Sequence, residues 1–237
     1  MTHNDSHDDL KHKLIMAGRI LAAEGQGDFT RGHLSVRLPD DPSRFLMKPH
    51  SVGLDELTMA NILTVDLDGN VVSGTARRHS EVFIHTEILK ARPDVQSVIH
   101  SHPLYCVALS ATGRPLRCYS QGGALFADSV GVYGDTIALI RSAELGRGVA
   151  AALGPRRAVL LKNHGVAVAG ASIEETVISA IMLEIAARVQ LIAEAAGEPA
   201  PEFPREDIDR LRAQISQAEQ FRINFDYLAR RVARGGK

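Results

Sequence analysis

Apolar residues recur at Leu10, Leu14, Ile15, Ala17, Ile20 and Leu21, and Gly25 follows them. That spacing predicts an amphipathic helix stopped by glycine. After a polar, turn-rich stretch from Gly27 to Gly32, the pattern changes period: Leu34, Val36 and Leu38 alternate with polar neighbours, as in a strand with one buried face. Arg44 to Lys48 and Asn61 to Asp66 read as further strands, and Asp68-Gly69-Asn70 predicts a hairpin turn into Val71-Val72. Ser80 stands where an N-cap is expected for a helix over 81–91, before Pro93.

Val95 to Ile99 forms a short apolar strand that runs into His100, and Leu104 to Ala111 reads as helix. Ser142 to Leu153 predicts another helix. Ala158 to Leu161 and Val166 to Ala169 are apolar strands interrupted by Lys162-Asn163-His164-Gly165. Ser172 and Glu175 match a capping box ahead of a long Ala/Ile/Leu/Glu run, which predicts a long helix. Pro199, Pro201 and Pro204 separate it from a C-terminal helical segment, 205–237. No internal repeat is visible. Strands in the middle, with helices between and at both ends, predict one α/β layered domain over residues 1–237, with residues 1–9 as a flexible polar tail.

Composition narrows the class. The 237 residues are 45% hydrophobic and 23% charged, with 27 Lys plus Arg against 28 Asp plus Glu. A formal charge of -1 gives no reason to expect nucleic acid or an anionic membrane as partner. The N-terminus lacks the apolar run of a signal peptide, and no stretch reaches the roughly 18 apolar residues of a membrane span. A cytoplasmic location is expected. Cys106 and Cys118 are then expected to be reduced and buried.

The ten histidines are unevenly placed. His3, His7 and His12 lie in or near the polar tail; the other seven fall between residues 33 and 164. His100 and His102 are two apart at the end of a strand, so their imidazoles share a face and can grip one transition ion. His164 sits at another strand end. Three imidazoles leave coordination positions open, the pattern of a catalytic site. Glu81 begins a helix, and His85 follows it by one turn.

These residues fall in a recognisable order. Ser80-Glu81, Arg92-Pro93-Asp94-Val95, Val98-Ile99-His100-Ser101-His102-Pro103 and Lys162-Asn163-His164-Gly165 resemble the motifs of the class II aldolase/adducin family. Gly32-His33-Leu34-Ser35-Val36-Arg37 resembles its early loop, and Leu63 to Gly69 its hairpin. The match spans roughly residues 10–195. The resemblance implies an α/β/α three-layer sandwich around a mainly antiparallel sheet. It implies a homo-oligomer, a tetramer or a multiple of one, with sites at subunit interfaces. It implies one divalent transition metal per subunit (Zn, Mn, Co or Fe) on His100, His102 and His164, with Glu81 as a further ligand or as acid/base. A tyrosine from a neighbouring subunit contributes in the sugar aldolases; Tyr119 stands near that position, with Tyr227 as another candidate. The non-catalytic adducin branch lacks the three histidines, all present here, so the resemblance favours an enzyme over an interaction protein.

The phosphosugar members hold phosphate with small hydroxyls and backbone N–H groups. Here those positions carry His33, the run Lys48-Pro49-His50-Ser51, and His79 before Ser80, beside Arg77-Arg78. Basic and imidazole groups suit carboxylates. The replacements resemble the family's decarboxylases of hydroxylated aromatic dicarboxylates. They imply a carboxylate substrate bound by His33, Lys48, His50, His79 and Ser80, with Glu81 and Tyr119 catalytic. A phosphosugar aldolase or epimerase is the alternative.

Overall fold

In the computed structural model, residues 6–235 are described. The chain runs α1 (His7–Ala23), β1 (His33–Arg37), β2 (Arg44–Met47), β3 (Leu63–Asp66), β4 (Val71–Ser73), α2 (Val82–Ala91), β5 (Ser97–Ser101), α3 (Leu104–Thr112) and α4 (Gln121–Ala124). It continues through β6 (Val130–Tyr133), α5 (Ala143–Leu153), β7 (Ala158–Leu161), β8 (Gly165–Gly170), α6 (Ile173–Ala196), α7 (Arg205–Ile215) and α8 (Ala218–Ala233). The strands form one sheet in the order β4-β3-β2-β1-β5-β8-β7-β6. Every pairing is antiparallel except β6 with β7.

Alternation along the strands divides the interior in two. Leu34, Val36, Leu46, Ile99, Leu160, Val166 and Val168 face one way and pack with α1, α3, α6 and α8. Phe45, Met47, Val65, Val98, Val159, Leu161, Ala167 and Ala169 face the other way and pack with α2 and α5. The result is the expected α/β/α sandwich. Helix α6 contains an 18-residue window of mean hydropathy 1.7, long enough to cross a membrane, but 56% of that window is buried against the sheet and its neighbouring helices.

Several expectations need correction. Of the supposed tail, residues 1–5, including His3, lie outside the described residues. Residues 7–9 are the first turn of α1, which Ser6 caps in a capping box with Asp9. Ser80 is not the N-cap of α2. Glu81 occupies that position and makes no capping bond, because its carboxylate is turned into the candidate site. Ser172 caps α6 by accepting from Glu175 N–H at 3.1 Å, but the Glu175 carboxylate accepts from Ala171 N–H and pairs with Arg157 instead of closing the box. The C-terminal segment is two helices, broken at Ser216-Gln217. Strand β6 carries no alternating signal: Gly131 is there because a Cβ would fall 2.0 Å from the Ala152 carbonyl of α5. Both cysteines are free thiols, Cys106 buried and Cys118 half-buried.

Candidate metal centre and its cavity

The β1–β5 register places His33 opposite His100 at one end of the sheet. Ser101 points to the other layer, where its hydroxyl donates to Gln26 Oε1 at 2.8 Å. His100 and His102 therefore share the opposite face, with Nε2 atoms 3.1 Å apart. His164 reaches them from the β7–β8 turn, where Asn163 adopts a left-handed conformation (φ 59°). Gly165 permits the approach. A Cβ there would lie 2.5 Å from the Ser101 carbonyl and 2.7 Å from His102 Cδ2. Ring centroids of the three histidines lie 4.8 to 5.3 Å apart.

The surroundings set the tautomers. His100 Nδ1–H donates to the Val166 carbonyl at 2.9 Å, which leaves the Nε2 lone pair free. Asp28 Oδ2 lies 3.1 Å from His102 Nδ1, off the line of its N–H. Neither ring nitrogen of His164, both buried, has a hydrogen-bond partner. Burial pushes the pKa of His100 well down, of His102 to about 4, and of His164 down against the pull of Glu81. All three are neutral imidazoles at pH 7, the form that ligates metal. One ring nitrogen of each lies within 4.8 Å of the others. Converging imidazole nitrogens, those of His164 without any partner, fit a divalent transition ion.

Glu81 completes the corner. Its Oε1 accepts from Ile140 N–H at 2.8 Å and lies 3.6 Å from His164 Nε2; its Oε2 lies 4.0 Å from His100 Nε2. A cavity of about 440 Å³ opens in front. His102, His164 and Glu81 line it; Asp28, Arg31, His50, His79, Ser80 and Arg141 add polar and charged groups; Leu104, Val107, Ile137 and Leu139 add apolar surface.

The residues expected to hold substrate thus divide. His50, His79 and Ser80 line the cavity, whereas His33 and Lys48 do not. Lys48 is fully buried, with Nζ donating to the carbonyls of Thr30 and Pro49 at 3.1 Å each. His33 lies behind the cavity, its Nδ1 2.6 Å from His85 Nε2. His79 Nδ1 accepts from Glu81 N–H at 3.4 Å, and burial lowers its pKa to about 3. Arg77 and Arg78 are outside the lining; Arg78 covers the Phe83 ring. Tyr119 lines a different cavity with Pro201 and Phe203, and Tyr227 is exposed on α8. Sequence reasoning missed Asp28, Arg31, Arg141 and the apolar surface. Asp28 and Arg31 were within reach, because they flank the turn that precedes β1. Arg141 lies in a segment without periodicity.

The chain as a whole is similar to known proteins. Residues 12–191 match the Class II Aldolase and Adducin N-terminal domain. The 3,4-dihydroxyphthalate decarboxylase of Arthrobacter keyseri is 31% identical, covering 87% of this chain and 87% of that protein. The enzyme of the same name from a Terrabacter strain is 34% identical, covering 82% and 85%. Among solved structures, L-fuculose 1-phosphate aldolase from Glaciozyma antarctica PI12 superposes with a TM-score of 0.85 at 30% identity, covering 95% of this chain and 90% of that one. Class II aldolases use a divalent metal, and the histidine corner above is suited to hold one. By sequence and fold, the chain belongs to the class II aldolase and adducin family.

Proposed function

We propose that the protein is a metal-dependent carboxy-lyase acting on a hydroxylated aromatic dicarboxylate of the 3,4-dihydroxyphthalate type. The observation that carries this reading is the composition of the cavity. Neutral metal-type imidazoles share one cavity with Arg31, Arg141, His50 and His79 and with the apolar side chains of Leu104, Val107, Ile137 and Leu139. Cations suit carboxylates, and apolar side chains suit a ring. The decarboxylase names of two relatives point the same way.

A divalent ion on His100, His102 and His164 supplies Lewis acidity, lowering the energy of negative charge on a substrate oxygen. The protein's own groups do the rest. Arg141 and His50 hold the carboxylate that is retained, and Leu104, Val107, Ile137 and Leu139 offer the ring apolar contact. Glu81 moves the proton. The ring carbon bearing the departing carboxylate gains a proton, the C–C bond breaks, its electron pair returns to the ring, and CO2 leaves. The metal is zinc, manganese, cobalt or iron, since three imidazoles accept each of them. On this reading the protein works in the cytoplasm, in the breakdown of aromatic compounds, as a homotetramer or a multiple of one, with Tyr119 supplied to the site by a neighbouring subunit.

The test is CO2 release by the metal-loaded protein from a panel of dihydroxyphthalate-type and hydroxybenzoate-type acids, run beside ketose 1-phosphates. Release from a dihydroxyphthalate is expected. Cleavage of a ketose phosphate, with no CO2 from any aromatic acid, would overturn the proposal in favour of the aldolase.

A further inference from the structure

Behind the histidine corner lies a second set of ligand-type atoms. One ring nitrogen each of His33 and His79 and a carboxylate oxygen of Glu81 lie within 4.8 Å of one another, and all three residues are buried. His33 has no exposed surface, and its Nε2 is without a hydrogen-bond partner. A buried polar atom left unpaired in this way costs about 1–3 kcal/mol, so it calls for a partner.

At His33, as at His100, Nδ1 has a hydrogen-bond partner, here an imidazole and there a carbonyl. His33 Nδ1 is engaged 2.6 Å from His85 Nε2, and His85 Nδ1 is in turn 2.6 Å from Ser35 Oγ. With Nδ1–H donating to His85, Nε2 presents a lone pair. This is the outer-shell hydrogen bonding that orients a metal-binding imidazole. The His33 and His100 ring centroids are 4.9 Å apart, and those of His33 and His79 are 4.0 Å apart. Glu81 stands between the two sets, because its oxygens are also the ones near His100 and His164.

We propose that the protein holds a second divalent cation on His33, His79 and Glu81, with the Glu81 carboxylate shared between two metal positions. The donor set, two imidazoles and one carboxylate, takes zinc, manganese or cobalt. A carboxylate shared by two ions is the arrangement of two-metal centres, whose ions stand about 3.5–4 Å apart. The second site is the weaker one, for two reasons. His79 gives up its long 3.4 Å contact with the Glu81 N–H when it ligates through Nδ1. The buried ammonium of Lys48 is close enough to disfavour charge on both His33 and His79.

Manganese or cobalt alone is the probe, added to chelator-stripped full-length protein. Equilibrium dialysis with elemental analysis is expected to give two ions per chain, the second bound at least about 10-fold more weakly. The paramagnetic resonance spectrum of the fully manganese-loaded protein is expected to show exchange coupling. His33→Asn and His79→Asn are each expected to keep the first ion and lose the second, and the retained ion shows that the variant has folded. A single ion at saturation overturns the proposal, as does a second ion kept by both variants. Two ions without coupling overturn the sharing of Glu81. None of these readouts depends on which substrate is turned over, so they stand apart from the decarboxylase reading, in which the proton-moving role of Glu81 belongs to the chain that holds only the first ion.

Discussion

Two corners at the same end of the sheet were assembled from similar residue types and ended up doing different work. At the β5–β8 corner, His100, His102 and His164 converge with neutral rings, and neither ring nitrogen of His164 has a hydrogen-bond partner. At the β1–β2 corner, the basic residues turn inward. Lys48 satisfies two backbone carbonyls and His33 joins a buried imidazole pair, so only His50 reaches the cavity. The difference lies in what fixes orientation. Two residues apart on one strand must share a face, and a glycine under a tight turn leaves room for one thing to approach. A basic residue at a strand's exit carries no such constraint, and its long side chain follows whichever acceptor is nearest.

The sharpest way to break this contrast is His164→Ala. Its ring has no structural partner to lose, so folding is expected to survive while bound metal and turnover fall, turnover by more than about 100-fold, since losing even an outer-shell partner costs about 10–100-fold. Elemental analysis and CO2 release check it together. Full metal with full turnover would remove the corner from the chemistry. A smaller effect is expected from Arg141→Met in the same cavity. Charge-assisted hydrogen bonds contribute about 1.5–3 kcal/mol, so KM for the aromatic acid is expected to rise roughly 10- to 100-fold with kcat much less affected. A change confined to kcat would mean that Arg141 acts on the reacting bond and not on binding.

The sandwich was legible because its strands alternate and its helices carry clear start and stop residues; the two cores follow from that alternation alone. Edge strand β6 was not, since four residues with a glycine and an exposed Val132 carry no period. The metal histidines were legible through strand spacing and motif order. The cavity's lining by Ile137, Leu139 and Arg141 was not, because these residues lie in a loop whose position is fixed by a tertiary contact, the Ile140 N–H bonded to Glu81. The same contact explains why Ser80 misled: Glu81 takes the cap position yet spends its carboxylate on the site.

Lys48 gives the mildest test and the one most specific to the inward-facing corner. Burial lowers its pKa from 10.5 to about 8, with Glu56 pulling weakly the other way. Below pH 8 the ammonium is charged in both folded and unfolded chains, and the full cost of burying it falls on the fold. Between pH 8 and 10.5 the folded chain gives up its proton while the unfolded chain still binds it, so the wild type gains stability as pH rises. Above 10.5 both are neutral and the gain is complete. The shift corresponds to about 3 kcal/mol at 1.36 kcal/mol per pKa unit. Lys48→Met removes this dependence and also leaves the Thr30 and Pro49 carbonyls without their donor, a cost that is the same at every pH. The two effects separate in urea unfolding of both proteins at pH 7.5 and pH 10.5. Stability of the variant relative to wild type is expected to fall by about 3 kcal/mol between the two. A constant difference would mean that Lys48 keeps its ordinary pKa and reaches solvent or an anion, as a substrate-binding lysine at that corner does.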